Sequence, residues 1–140
     1  KVIGPICSKL LESVKSNYKD DYMKIKKRQF SIFTEDFKNQ MKAKNSIKNI
    51  VLVGIETHFC ILQSAEDFIS NGYQVYLVAD ATSSQREYDR KMALERLKES
   101  GVKLTTAESI VYELLQTSEG ETFKQVLNEV KKRNTDVMFD

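Results

Sequence analysis

The rhythm of apolar and polar positions becomes regular at Asn49. Ile50, Val51, Leu52 and Val53 form an apolar run without polar interruption, which predicts a parallel strand covered on both faces. The run stops at Gly54, and after a five-residue turn comes Cys60. Ile61, Leu62, Ala65, Phe68 and Ile69 then recur at the spacing of one helical face, so Cys60 is expected to open a helix. The alternation continues with a strand at Gln74–Ala79, a helix at Asp89–Ser100 with Ala93, Leu94 and Leu97 inward, and a strand at Val102–Thr106. Ile110, Val111, Leu114 and Leu115 mark a further helix, and Phe123, Val126, Leu127 and Val130 the last. Gly72 and Gly101 stand where left-handed helix C-caps precede the next strand.

Upstream of Asn49 the pattern is looser. Residues 1–5 read as loop, with Pro5 in a first helical turn, and Ile6, Leu10, Leu11 and Val14 share a helical face to about Lys15. A polar connector over Ser16–Asp21 leads to a short strand at Tyr22–Lys26. Thr34 is placed to cap a helix carrying Phe37 and Met41 on one side. Alternating strands and helices predict an α/β fold with a mostly parallel sheet, as one domain over residues 1–133 with a tail at 134–140. The strand count is small for so many helices. Either an edge of the sheet lies outside this sequence or another chain completes it, and the exposed edge and apolar face predict a homo-oligomer.

Composition narrows the setting. At 140 residues the chain can bury a real core, and its 41% hydrophobic and 30% charged residues are those of ordinary globular protein. No apolar run is long enough to span a membrane, and the first residues lack a signal pattern, so no membrane partner is expected. Two cysteines, Cys7 and Cys60, allow one disulfide at most, which favours a reducing, cytoplasmic setting. The single histidine, His58, excludes a His-rich or Cys/His zinc cluster, and no cofactor is expected. A net charge of +2 conceals a basic first fifty residues and an acidic remainder. Lys24, Lys26, Lys27 and Arg28 would suit phosphate, but no nucleic-acid module accompanies them, so a solvated face is the expectation.

Cys60 carries the candidate chemistry. A helix start offers free amides and the positive end of the helix dipole, both of which favour a thiolate and, after attack on a carbonyl, an oxyanion. The alternative is a small buried hydrophobe, as most free cysteines are. His58, two residues earlier, suggests a cysteine–histidine dyad, but neighbouring side chains diverge in a tight turn, so a pocket-lining role is expected for it and for Glu56 and Thr57. Asp80 is expected to accept local backbone bonds in its Asp-Ala-Thr-Ser-Ser turn, and Cys7 to serve packing. Gly54 lacks the further glycines of a dinucleotide loop.

Five motifs in fixed order carry a resemblance: Lys-Arg-Gln-Phe-Ser at Lys27–Ser31, the segment Val53–Gln63, Val78–Ser84, Asp89–Leu97 and Thr105–Ser109. Together they resemble the isochorismatase-like cysteine hydrolases, in particular the eukaryotic isochorismatase domain-containing branch. The resemblance implies a Rossmann-like α/β core and an Asp-Lys-Cys triad, with Cys60 as nucleophile and Lys27 as the cation favouring its thiolate. It also implies a cis peptide between Ile55 and Glu56 that aims the Glu56 amide beside that of Cys60 as an oxyanion hole. The family's triad aspartate sits at the end of a first strand that residues 1–26 do not provide, where only Asp20 and Asp21 occur. The expectation is therefore a hydrolase of small amide, carbamoyl or related substrates whose first strands and acid lie outside these residues, and which is weak or inactive without them. The alternative is a catalytically silent domain binding a ligand or protein on the same scaffold.

Overall fold

The computed structural model describes residues 6–18, 22–44 and 46–132. The expected loop at residues 1–5 with Pro5, the two candidate acids Asp20 and Asp21, and the tail at 134–140 lie outside the described residues. Helix α1 (Ser8–Tyr18) precedes α2 (Glu35–Met41), β1 (Asn49–Ile55), a helical turn over Thr57–Ile61 that runs into α3 (Leu62–Ser70), β2 (Gln74–Ser83) and α4 (Glu87–Glu99). β3 (Lys103–Thr105), α5 (Ala107–Leu115) and α6 (Glu121–Lys131) complete the order. The three strands form one parallel sheet in the order β1-β2-β3, flanked by helices, which is the α/β architecture the alternation predicts.

Local chemistry sets the boundaries. Thr34 is extended and its hydroxyl accepts the Phe37 amide at 3.2 Å, capping α2. α3 and α4 end alike: Gly72 and Gly101 are left-handed, and the next residues, Tyr73 and Val102, donate back to the Phe68 and Leu97 carbonyls. Each chain reversal therefore delivers its strand directly to the sheet. Val75 and Leu77 of β2, Ile61, Leu62, Ala65 and Phe68 of the Thr57–Ile61 turn and α3, Leu97 of α4, Val102, and Phe37 and Met41 of α2 form the core. Phe68 meets Phe33, Phe37 and Tyr73 edge-on, with ring centroids 5.4, 5.3 and 5.6 Å away.

Three expectations need correction. Tyr22–Lys26 is not a strand among the described residues: Met23 and Ile25 pack against the core while Lys24 and Lys26 are exposed, and the sheet pairs only β1, β2 and β3. β1 is covered on one face only, because it is the edge of the sheet, and Val51, Val53 and Ile55 remain 47, 57 and 56% exposed. Cys7 is exposed just before α1, where it packs nothing into the core.

Candidate active site

The site forms where β1 ends. The β1–β2 register runs evenly from Asn49↔Gln74 to Leu52↔Leu77 and then jumps, so that Gly54 pairs with Thr82 and Ile55 with Ser83. The chain reverses at Glu56, which adopts the left-handed conformation (φ 60°, ψ 64°), and at once enters a wide turn closed by the Ile61 amide on the Glu56 carbonyl at 3.4 Å. Every described peptide bond is trans, so the cis bond expected between Ile55 and Glu56 is absent, and the left-handed Glu56 redirects the chain in its place. The Glu56 amide, expected beside that of Cys60 as a second oxyanion donor, thereby loses the bond that was to aim it. Cys60 lies in the first turn of this helical segment, which starts at Thr57 and not, as expected, at the cysteine itself.

The Cys60 thiol is free and half-buried. Lys27 brings its ammonium to 3.9 Å from the sulfur, and the same ammonium donates to the Gln29 carbonyl at 3.1 Å and to the Phe30 carbonyl. Among the described residues no carboxylate pairs with this ammonium. Its carbonyl partners belong to its own loop, and Phe30 of that loop stacks edge-on against Phe59 at 5.1 Å. Ile32 donates its amide to the Ser64 hydroxyl at 3.0 Å, and Ser64 donates to the Cys60 carbonyl at 2.6 Å.

The neighbours of Cys60 take other roles. Thr57, expected at the pocket, is fully buried, and its hydroxyl donates to the Ser83 carbonyl at 3.1 Å, which pins the turn to β2. His58 turns its Nδ1 to the Ser84 hydroxyl at 3.0 Å and to Glu56 Oε2 at 3.6 Å, so its polar contacts run to the end of β2 and to the turn. Asp80 accepts from the Ala107 amide at 2.7 Å, which anchors the start of α5. Arg90, largely buried, donates to the Ala79 and Thr82 carbonyls at 2.6 and 3.1 Å and so braces the stretch of β2 where the register jumps. Sequence reasoning missed Ser64 and Arg90. For Ser64 a signal existed: a hydroxyl four residues after Cys60 stands beside Ala65 on an otherwise apolar helical face. Arg90 carried none among so many exposed charges. A groove of about 910 Å³ between α5 and α6, lined by Val111, Val126 and Val130, is formed without either Lys27 or Cys60.

Residues 2–109 match the isochorismatase domain. The chain belongs to the isochorismatase family. It is 40% identical over 112 residues to isochorismatase family protein 1B of Dictyostelium discoideum, an alignment covering 79% of this chain and 54% of the relative. With isochorismatase domain-containing protein 2 of Xenopus laevis it shares 40% identity over 107 residues, covering 76 and 52%. A solved structure from Caenorhabditis elegans named MAR1 ribonuclease superposes with a TM-score of 0.70 at 32% identity, covering 80% of this chain and 58% of that one. The chain thus spans about half the length of the isochorismatase relatives it matches. Its sheet and helices are those of the family's Rossmann-like α/β core.

Proposed function

We propose that these residues supply the nucleophile and its lysine to an isochorismatase-like hydrolase that uses a cysteine on a small amide, carbamoyl or related substrate. The observation that carries the reading is the 3.9 Å approach of the Lys27 ammonium to the Cys60 sulfur. An ammonium whose other partners are neutral carbonyls is drawn to a thiolate, and a positive charge beside sulfur favours that form. For an amide, the sulfur attacks the carbonyl carbon, forming a C–S bond and an oxyanion toward which the first-turn amide of Cys60 is the available donor. Collapse expels the amine, which takes up a proton, and water then cleaves the thioester to release the acid and the free thiol. In this reading the proton donor for the amine is an aspartate outside the described residues, and without such a donor turnover is weak. General acid–base help is worth about 10²–10⁴ in rate. A small-molecule substrate, no cofactor and association of copies through the open edge of β1 belong to the same reading.

A silent binding domain is the second reading, favoured by His58 and Thr57 being engaged with β2 and not with the sulfur. Alkylation separates the two. In a Cys7→Ser background, which removes the exposed second thiol, iodoacetamide labels Cys60 about tenfold faster near neutral pH than it labels Cys60 in the Lys27→Met variant. Equal rates would overturn the enzyme reading. A substrate screen should follow, with and without an upstream segment borrowed from a relative. An RNA oligonucleotide belongs in it because the Caenorhabditis elegans neighbour is named a ribonuclease and Lys24, Lys26 and Arg28 are exposed. Cleavage of RNA in preference to small amides would replace the proposed substrate class.

A further inference from the structure

We propose that Ser64 is a positioning residue that fixes the distance between the Lys27 ammonium and the Cys60 sulfur by coupling the lysine's loop to the nucleophile's helix. The inference rests on the Lys27–Cys60 pairing of the proposed function and goes beyond it in naming what maintains the pair.

A serine inside a helix ordinarily donates to the carbonyl four residues back, and the bond from Ser64 to the Cys60 carbonyl at 2.6 Å is of that kind. The other half of its bonding is not local. The Ser64 oxygen accepts the Ile32 amide at 3.0 Å, from a residue 32 positions earlier in the chain. Ser64 is only 4% exposed, so its hydroxyl is spent on these two protein partners, one on each side of the junction. The result is a relay from the Ile32 amide through the Ser64 hydroxyl to the carbonyl of the nucleophile itself.

The lysine side shows why this junction matters. The Lys27 ammonium is tethered to the Gln29 and Phe30 carbonyls, so it travels with its own loop and not with the helix. Loop 28–34 is itself stiffened by the Phe33 amide on the Ser31 hydroxyl at 3.0 Å and the Thr34 amide on the Ile32 carbonyl at 2.7 Å. A stiff loop carrying the cation and a helix carrying the sulfur form two bodies, and the separation of the charges is the separation of the bodies. The Phe30–Phe59 contact also lies across the junction, but ring packing tolerates sliding, whereas the relay has a defined geometry. Electrostatic attraction falls with distance, so a loop that drifts leaves the thiolate less favoured even though every reacting group is intact.

The test is the rate of Cys60 alkylation by iodoacetamide between pH 6 and 9 in the Cys7→Ser chain, comparing Ser64→Ala, Ser64→Thr, Lys27→Met and the double variant Ser64→Ala/Lys27→Met. Ser64→Ala is expected to slow labelling at neutral pH by about three- to tenfold, with the gap to the unsubstituted chain narrowing as the pH rises. Ser64→Thr, which keeps the oxygen and its proton, restores the profile, and the double variant matches Lys27→Met alone, because Ser64 acts only through the lysine. A Ser64→Ala profile that superimposes on the parent while Lys27→Met is slow overturns the relay and leaves the pairing standing. A Lys27→Met profile identical to the parent overturns both, and a double variant slower than Lys27→Met shows Ser64 acting by another route and overturns the relay. The Ile32 amide gives a check that requires no variant to fold: it is expected to exchange with solvent slowly in the parent chain, and exchange at the unprotected rate would refute the bond on which the proposal stands.

Discussion

Glu56 and Gln116 are the non-glycine residues found at positive φ among the described residues, and their circumstances differ. Gln116 is an exposed C-cap of α5 at φ 58°, donating its amide to the Tyr112 carbonyl, and nothing ties its side chain to a function. The left-handed conformation costs an L-residue about 1 kcal/mol that glycine avoids. Gln116→Gly is therefore expected to raise the urea unfolding midpoint, with a gain of up to about 1 kcal/mol. Glu56 holds the same conformation at the start of the Cys60 turn, where its carbonyl receives the Phe59 and Ile61 amides. Strain concentrated at such a position is a common mark of a functional turn. At this scale the sequence named candidate residues but not their partners. Cys60 and Lys27 could be named from motifs, whereas the engagement of His58 with Ser84 and of Thr57 with Ser83 depends on where the end of β2 lies. That position is decided by a register jump invisible in a one-dimensional pattern.

Among the elements, the helices and the strands after Asn49 were legible because period and punctuation agree there: apolar spacing announces each helix, and a left-handed glycine ends α3 and α4. The stretch Tyr22–Lys26 shows how the same reasoning overreaches. Its alternation is real, with Met23 and Ile25 inward, but alternation reports only an extended chain with one buried side, and a strand also needs a neighbour to bond. β1 errs the other way, since an uninterrupted apolar run reads as covered on both sides even when one side is open. Gly54 marks the end of that strand at φ 145°, a region closed to side chains, and an added Cβ would stand 3.2 Å from the Ile61 Cδ1. Gly54→Ala is accordingly expected to lower stability by about 1–3 kcal/mol, read from urea unfolding, and to alter Cys60 labelling because Ile61 adjoins Cys60.

At the scale of the chain, β1 stands at an edge of the sheet formed by the described residues. Val51, Val53 and Ile55 form an exposed apolar row on an edge strand, the combination that promotes pairing between chains. Sedimentation velocity is expected to show association that grows with concentration, and Val53→Lys to suppress it; identical profiles would remove the edge from consideration. No described helix is long and apolar enough to cross a membrane. The family's core was readable from the order of its motifs, while the extent of the sheet was not, because strand count is a property of pairing and not of any one segment.

The ring cluster around Phe68 has a practical consequence. The protein has no tryptophan, and Tyr73 packs edge-on against Phe68 and, at 6.3 Å, against Phe33, which leads directly into the loop bearing the lysine. A tyrosine held in such an asymmetric setting contributes a near-ultraviolet circular dichroism band, and that band should fade when Phe33 is replaced by leucine while the far-ultraviolet helix signal persists. The chain thus contains its own optical gauge of whether that segment is seated, requiring neither label nor substrate.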